Sequence, residues 1–203
     1  MWILGNCLVF VFGHFWVLEA LCLCLCFFGM LRPIELFALR VADVLLPEVL
    51  GSAEMFLRIG KPKMRWLTAR RQFVAIEDPA TTVLAIRLLT NADPQAMVWP
   101  ESPASWRARH DALTNFFGIS TRDLDGLTPA SLRGGGATWL FRRCGSADVV
   151  RWRGRWQSHR SVEIYVQEVM TLEVMAALPV AARRRVELFA SAAEELLSRA
   201  AVD

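Results

Sequence analysis

Apolar residues dominate the start of the chain and then give way to shorter patterned segments. From Phe15 to Gly29 almost every position is apolar, which predicts a helix that is buried on most of its faces. Two later segments, Glu54–Ile59 and Gln72–Ile76, alternate apolar and polar positions, as half-buried strands do. The residues between them, 60–71, are rich in Lys and Arg. They predict a basic hairpin or a short sheet with a turn rich in Arg and Lys.

Helix-start and helix-stop residues divide most of the remaining chain into helices. Pro33 suits a first helical turn, and Thr128 with Pro129 suits an N-cap and first helical position. The predicted helices are Phe15–Phe28, a short helix through Ile34–Ala38, Pro79–Leu89, Ser105–Phe117 with Gly118 as its C-cap, Thr128–Gly145, a short helix from Ser146 through Val150, Ser161–Ala177 and Ala181–Ala200. Asp43–Leu50 is predicted to be a loop. The predicted fold class is mainly α with a small antiparallel β-sheet (α+β).

The first residues raise the question of a membrane segment. Met1–Leu18 contains no Asp, Glu, Lys or Arg, and it therefore reaches the length of a membrane-helix candidate. Glu19 then interrupts it, and neither a basic n-region nor a small-residue cleavage site marks a signal peptide. A buried helix behind an apolar leader is favoured over a membrane anchor. We therefore expect a leader of uncertain status at 1–14 and a single domain at 15–203, in which 181–200 is a C-terminal helix.

The composition indicates a folded chain with an arginine-rich set of basic residues. Of 203 residues 54% are hydrophobic and 21% are charged, with a net charge of +3, which excludes a disordered chain. Lysine occurs only at Lys61 and Lys63. Arginine forks bind phosphate well, although a coding sequence that prefers arginine codons explains the bias equally.

The cysteines indicate a reducing environment and no metal site. Their number is odd, five, and no histidine accompanies them at zinc spacing. Cys22, Cys24 and Cys26 are interpreted as small buried hydrophobic residues, in a chain with an intracellular location. The histidines His110 and His159 are expected at the surface.

Three arginine-containing motifs and one tyrosine carry the candidate chemistry. G-M-L-R-P-I-E-L contains Arg32, L-R-G-G-G-A-T contains Arg133, and R-W-R-G-R-W-Q-S-H-R-S-V-E-I-Y contains Trp156 and the single tyrosine, Tyr165. Cleavage of a phosphodiester by transesterification requires a nucleophile, which tyrosine supplies as a covalent ester. It also requires stabilisation of the phosphate oxygens, for which two arginines are suited, and a proton donor such as lysine. Alone, Arg32 could be a helix-terminal cation, Trp156 a core residue and Tyr165 a helix-face aromatic.

The order and spacing of these motifs resemble the catalytic domain of the tyrosine recombinase (phage integrase) family, whose core is shared with type IB topoisomerases. The resemblance covers about residues 15–175 and implies that fold. It implies these roles: Arg32 and Arg133 as catalytic arginines, Glu35 as the brace of Arg32, Lys63 (with Lys61 as second choice) as the proton donor to the leaving oxygen, Trp156 as an indole N–H donor to the phosphate, and Tyr165 as the nucleophile.

The resemblance implies cleavage and rejoining of double-stranded DNA, in recombination or integration, through a 3′-phosphotyrosine. It implies a homo-oligomer on DNA and no metal or other cofactor, because arginines do the work of a metal. The predicted DNA contacts are Arg65, Arg70, Arg71, Arg151, Arg153, Arg155 and His159, although a solvated basic loop explains the Arg/Trp alternation around Arg153 equally well.

Departures from the family pattern leave a second interpretation open. Ala130 stands where the family has a histidine, Gly134 replaces another frequent histidine, and the family's N-terminal DNA-clamping domain has no counterpart. A catalytically impaired DNA-binding remnant is therefore the alternative. The run Gly134–Gly136 weakens a helix by ~1 kcal/mol per residue, which predicts a close approach there. The final helix could pack on its own core or on a neighbouring subunit.

Overall fold

The computed structural model describes residues 17–60, 72–116, 128–166 and 178–188, together with positions 176 and 192. The helices with named bounds are α1 Val17–Phe28, α2 Pro33–Leu36, α3 Pro47–Leu50, α4 Pro79–Leu89, α5 Pro103–Phe116, α6 Ser131–Cys144, α7 Ala147–Arg153 and α8 His159–Tyr165. A further helix covers 180–188. The predicted leader at 1–14 and the predicted hairpin residues 61–71 lie outside the described residues. So do parts of the predicted helices, at 15–16, 117–118, 167–175, 177, 189–191 and 193–200.

The strands form a small antiparallel sheet in chain order. They are β1 Val44–Leu45, β2 Met55–Ile59 and β3 Gln72–Ile76. Alternate residues of β2 are buried, because successive side chains of a strand point to opposite faces. The two predicted strands are confirmed to within one residue. The predicted fold class, mainly α with a small antiparallel sheet, is also confirmed.

Helix α1 lies at the centre of the core. Every residue from Glu19 to Phe27 is buried, and the helix packs against α4 and α6. The predicted buried helix and buried cysteines are confirmed, and burial raises the pKa of the Cys22, Cys24 and Cys26 thiols. No helix in the described ranges combines the length and apolar content that a bilayer crossing requires.

Glu19 is a buried carboxylate at the start of α1. It faces Arg109 of α5, with 3.6 Å between Glu19 Oε2 and Arg109 Nη1. Arg109 also pairs with Glu101 at the surface and lies over the Trp99 ring. Burial raises the pKa of Glu19 to about 7, although Arg109 opposes the rise. The contact between α1 and α5 therefore contains a group that titrates near neutral pH.

The three glycines of α6 allow that helix to approach α1 closely. A Cβ at Gly136 would overlap the Phe27 carbonyl oxygen, and a Cβ at Gly135 would lie 3.1 Å from the Phe27 ring. At Gly134 the nearest atom, the Tyr165 carbonyl oxygen, would be 3.6 Å away, which is an ordinary contact. The predicted close approach is therefore located at Gly135 and Gly136.

Helix α6 begins at Ser131, two residues later than the predicted first helical residue, Pro129. Thr128 does not cap the helix, because residues 128–131 form a turn. The Ser131 N–H donates to the Thr128 carbonyl at 2.8 Å, and Ser131 Oγ accepts from the Thr128 N–H at 3.0 Å. Ala130 takes the N-cap position without a side-chain hydrogen bond.

Helix α8 is also displaced from its predicted position. It begins at His159 because Ser158 Oγ accepts from the Ser161 N–H at 3.3 Å and caps the helix. It ends at Tyr165, and Val166 has non-helical backbone angles. The prediction of a continuous helix over Ser161–Ala177 is therefore wrong.

Two further predictions are wrong in the first half of the chain. Asp43–Leu50 is not a loop, since it contains the end of a 3-10 turn, β1 and α3. Pro47 opens α3, and Gly51, with φ of 61°, ends it. His110 is buried within α5, and this burial lowers its pKa.

The residues before and within the C-terminal helix pack on the core of the chain. Leu178, Ala182 and Val186 are buried in the main apolar cluster. Val180 and Leu188 are exposed, so the described part of this helix has one buried and one solvent-facing side. Packing on its own core is therefore shown for 178–186.

Candidate functional site

Four segments that are distant in the sequence meet at one place. They are the connection between α1 and α2, the first turn of α6, the loop at residues 154–156, and the end of α8. Met30 and Arg155 have φ of 47° and 59°, and among the described residues no other non-glycine residue has a positive φ. The two tight backbone conformations lie in the connections that bring these segments together.

The Glu35 carboxylate is the acidic centre of the site. Its side chain is fully buried, and Oε1 accepts from Arg32 Nη1 at 2.8 Å. Oε2 accepts from the Arg32 N–H at 2.9 Å and from Arg155 Nη2 at 2.8 Å. Burial favours a raised pKa for Glu35, but Arg155, the Arg32 N–H and guanidinium, and Arg133 outweigh it and lower the pKa. Glu35 is therefore an anion that holds two arginines.

Arg133 lies at the centre of the same site, on α6. It is only 2% exposed, and it donates to the carbonyl oxygens of Met30 and Gly154. Burial, with the charges of Arg32 and Arg155, lowers the pKa of Arg133 to about 9, so the guanidinium stays charged at neutral pH. Its Nε has no hydrogen-bond acceptor within the described part of the chain.

Two aromatic rings cover the Arg133 guanidinium. Its Cζ lies 4.4 Å from the centroid of the Trp156 ring and 5.9 Å from that of Tyr165. The two rings are 5.1 Å apart and tilted by 40°. Trp156 is buried, and a side chain at Gly154 would overlap its ring. Cation–π contact and packing therefore hold both rings over the arginine.

Tyr165 is the last residue of α8 and is half-buried. Its carbonyl accepts from Thr138 Oγ1 of α6 at 3.2 Å, and the carbonyl oxygen faces Gly134. The lack of a side chain at Gly134 thus leaves room where α8 ends against α6. This contact fixes the tyrosine beside the arginine-bearing turn.

The structure brings together five of the residues singled out in the sequence: Arg32, Glu35, Arg133, Trp156 and Tyr165. Arg32 has 25% of its side chain exposed and is the most open of the three site arginines, since Arg133 and Arg155 are almost fully buried. The catalytic roles implied for these residues stay predictions.

Arg155 occupies a different position from the one predicted. We expected it in an exposed basic row, but its side chain is only 7% exposed and pairs with Glu35. Its Nη1 and Nη2 also donate to the carbonyls of Gly29 and Met30, both at 3.3 Å. Burial lowers the pKa of Arg155, while Glu35 acts in the opposite direction. Alternation with tryptophan had indicated a surface, and no local signal in the sequence reveals a partner 120 residues away.

The other predicted DNA contacts of this region lie outside the Arg133 site. Arg151 and His159 both face Asp148, at 3.5 Å and 3.3 Å. Arg153 pairs with Glu77, which follows β3. These basic side chains are partly to mostly exposed and lie beside acidic neighbours, so they form a separate surface on α7 and the start of α8.

A cleft connects Glu35 with the C-terminal end of β2, the central strand of the sheet. It has a volume of about 430 Å³, and its lining includes Glu35, Arg40, Arg58 and Gly60. The predicted proton donor Lys63, its alternative Lys61, and Arg65, Arg70 and Arg71 follow Gly60 in the sequence and lie outside the described residues. No group of His, Cys, Asp or Glu suited to a metal ion occurs within the described ranges.

Comparison with known proteins supports the fold. No protein-family model and no curated protein matches the chain. Among solved structures it is similar to the XerH site-specific recombinase bound to difH substrate in a pre-cleavage complex, at 17% identity and a TM-score of 0.53, covering 79% of this chain and 45% of that chain. A post-cleavage complex of XerH with a palindromic difH substrate gives 16% identity, a TM-score of 0.52, and 78% and 45% coverage. The chain thus spans less than half of those recombinases, and its fold is similar to a tyrosine recombinase catalytic domain.

Proposed function

We propose that this chain cleaves and rejoins DNA strands through a 3′-phosphotyrosine formed at Tyr165. The observation that supports the proposal is the meeting of Arg133, the Arg32–Glu35 pair and the Trp156–Tyr165 ring pair at one site. The fold is similar to that of recombinases whose structures contain DNA substrates. Double-stranded DNA is the proposed partner, and residues 15–203 are the proposed domain.

In the proposed reaction the Tyr165 phenolic oxygen attacks phosphorus and the bond from phosphorus to the 5′ oxygen breaks. The phenol loses its proton, and the leaving 5′ oxygen gains one, for which Lys63 is the proposed donor. The phosphotyrosine conserves the ester bond, so rejoining needs no nucleotide cofactor. The reverse attack by a 5′ hydroxyl restores the tyrosine and the DNA strand.

The arginines supply the electrostatic part of this proposal. Arg133 uses two donors on backbone carbonyls and keeps its charge, while its Nε has no acceptor in the described ranges. Arg32 keeps part of its guanidinium at the surface. The two arginines would stabilise, from both sides, the negative charge on the oxygens of a phosphate bound between them in the transition state. Because Trp156 and Tyr165 cover Arg133, contact with a phosphate requires the two rings to move.

Assembly is a separate part of the proposal. We propose that two or more copies act together on DNA, since rejoining between two duplexes requires two cleavage sites. The exposed side chains of Val180 and Leu188 on the helix at 180–188 are a candidate contact, beside the buried side of that helix. Sedimentation velocity with and without DNA tests this part independently of cleavage.

The test of the proposed function is the trapping of a covalent adduct. The substrate is a pool of duplexes with randomised sequence. Each duplex carries a nick close to the 3′ side of the cleavage position, so the short product with the 5′ hydroxyl diffuses away and rejoining fails. We expect an adduct that survives denaturing electrophoresis and whose phosphopeptide contains Tyr165. Tyr165→Phe removes only the hydroxyl and is the matched control.

Three results would contradict the proposed function. One is the absence of an adduct over the whole randomised pool, with DNA binding intact, which leaves the DNA-binding remnant as the explanation. Another is an adduct that forms equally with Tyr165→Phe. The third is phosphate linked to a residue other than Tyr165.

A further inference from the structure

Arg155 combines an unfavourable backbone conformation with a buried charged side chain. Its φ is 59°, in the left-handed region where glycine is the usual residue. The preceding residue is a glycine, Gly154, but its φ of −79° does not require one. Because a glycine at 155 would relieve the backbone, the arginine side chain must contribute interactions that maintain this conformation.

The Arg155 guanidinium joins the loop that carries Trp156 to the connection between α1 and α2. It donates to the carbonyls of Gly29 and Met30 at 3.3 Å and to Glu35 Oε2 at 2.8 Å. Arg133 joins the same two segments, through the carbonyls of Met30 and Gly154. Two arginines therefore fix the distance between the segment with Arg32 and the segment with Trp156.

The charge balance of this cluster depends on Arg155. Glu35 Oε1 is engaged by the Arg32 guanidinium, whereas Oε2 is engaged by the Arg32 N–H and by Arg155. Without Arg155, Oε2 keeps only the backbone N–H, and a buried carboxylate has lost one of its two guanidinium partners. Among the described residues the Arg32 guanidinium is then the remaining cation that hydrogen-bonds Glu35, so its position should change in response.

We propose that Arg155 is a positioning residue that orients Arg32 through Glu35. The inference rests on the proposed cleavage of DNA for its functional consequence, and on the hydrogen bonds above for its geometry. It replaces the direct phosphate contact that the sequence suggested for Arg155. In its place Arg155 sets where Arg32 can reach a phosphate, and DNA itself contacts the more exposed Arg32.

The experiment compares Arg155→Lys, Arg155→Gln, Glu35→Gln and the double variant Arg155→Gln/Glu35→Gln in the full chain. Single-turnover adduct formation on the nicked DNA pool measures cleavage, and DNA binding across salt concentrations measures phosphate contacts. We expect Arg155→Gln to lower the cleavage rate at least tenfold, while its affinity and salt slope match those of Glu35→Gln, which also disturbs Arg32. Arg155→Lys should recover part of the rate, and the double variant should be no slower than the slower single variant.

Two outcomes would overturn the inference. A salt slope lower by about one unit in Arg155→Gln than in Glu35→Gln would show that Arg155 itself contacts a phosphate. A double variant whose rate loss equals the product of the two single losses would show that Arg155 and Glu35 act independently.

A second measurement separates this inference from the proposed function. If the wild-type chain forms no adduct, the proposed function fails. Acid unfolding of the same proteins then tests the contact between Arg155 and Glu35 without DNA. The lowered pKa of Glu35 stabilises the fold above its unfolded pKa, and this stabilisation is lost as the pH falls. We expect Arg155→Gln to move the acid midpoint upward by more in the wild-type background than in the Glu35→Gln background, where only the hydrogen bonds to the Gly29 and Met30 carbonyls are lost. Equal shifts in both backgrounds would refute the coupling.

Discussion

The adjacent glycines of α6 allow a stability test in which two nearly identical substitutions have opposite effects. Gly134→Ala adds a methyl group that makes ordinary contacts, at 3.6 Å to the Tyr165 carbonyl oxygen and 3.7 Å to its ring. Gly136→Ala places the same group on the Phe27 carbonyl oxygen, 3.0 Å from the carbonyl carbon. Both positions lie inside Ser131–Cys144, so helix propensity changes by the same amount.

The expected magnitudes follow from these contacts. Alanine in place of glycine inside a helix is favourable by about 1 kcal/mol, so Gly134→Ala should stabilise the chain by up to that amount. At Gly136 the obstacle is backbone of the buried helix α1 and cannot rotate away. Overpacking of this kind costs about 1–3 kcal/mol or more, which exceeds the gain in propensity. Because the gain in propensity is the same at both positions, we expect the free energies of unfolding of the two variants to differ by the overpacking cost, about 1–3 kcal/mol or more.

The clash at Gly136 should also reach the candidate site. The Phe27 carbonyl that it displaces accepts a hydrogen bond from the Met30 N–H at 3.2 Å. The Met30 carbonyl in turn accepts from Arg133 and Arg155. Gly136→Ala should therefore slow adduct formation, whereas the control Gly134→Ala should leave the position of Met30 unchanged.

Urea unfolding followed by tryptophan fluorescence measures both free energies. Gly135→Ala gives an internal comparison, because its methyl group would meet the Phe27 ring at 3.1 Å, and a ring can rotate. We expect the order of stability Gly134→Ala, then Gly135→Ala, then Gly136→Ala. If Gly136→Ala were as stable as Gly134→Ala, the close packing of α6 on α1 would be refuted.

Three further predictions concern titration and chemistry. Burial raises the pKa of Glu19 to about 7, so protonated Glu19 favours the folded state. This contribution to stability is lost as the pH rises from about 4.5 through 7. Glu19→Gln should therefore be more stable than the wild type by up to about 3 kcal/mol at pH 8 but not at pH 5. Urea unfolding at both pH values checks this, and a deficit at pH 8 would contradict it. Lys63→Ala should cleave ordinary DNA slowly but regain its rate on DNA with sulfur in place of the leaving 5′ oxygen, since a thiolate needs no proton donor. Equal rate losses on both substrates would exclude Lys63 as the proton donor to the leaving oxygen. Trp156→Phe should keep the fold but weaken the cover over Arg133, whose Cζ lies 4.4 Å from the centroid of the Trp156 ring. Chemical modification of Arg133, located by peptide mapping, should become faster in this variant, and an unchanged modification rate would argue against the cover.

Local signals predicted the elements that are held by local interactions. Pro79–Leu89 was predicted at its observed bounds, since Asp78 caps it by accepting from the Thr81 N–H at 2.8 Å and Pro79 occupies its first turn. The short helix after Ser146 was predicted for the same reason, with Ser146 Oγ accepting from the Val149 N–H. Capping residues act within three positions, so their effect is readable from the sequence.

Elements and residues that depend on distant contacts were predicted less well. Thr128 was predicted to cap α6, but it forms a turn with Ser131, and the helix begins at Ser131. His110 is polar by type but buried by the packing of α5. Arg155 lies in an apparently exposed basic motif and is buried because Glu35 and two carbonyls surround it. In each case the deciding partner or packing surface is absent from the local pattern.

The same contacts decide which substitution tests the proposed chemistry most cleanly. Arg133 donates to Met30 and Gly154 and lies under two rings. Arg133→Ala would therefore remove a candidate catalytic charge and also two tertiary hydrogen bonds, and a lost activity could not be assigned to either. Tyr165→Phe keeps the ring that packs on Trp156 and removes one oxygen atom. A variant that retains wild-type stability and DNA binding but forms no adduct would assign the nucleophile to that oxygen, because every other contact of the site is preserved.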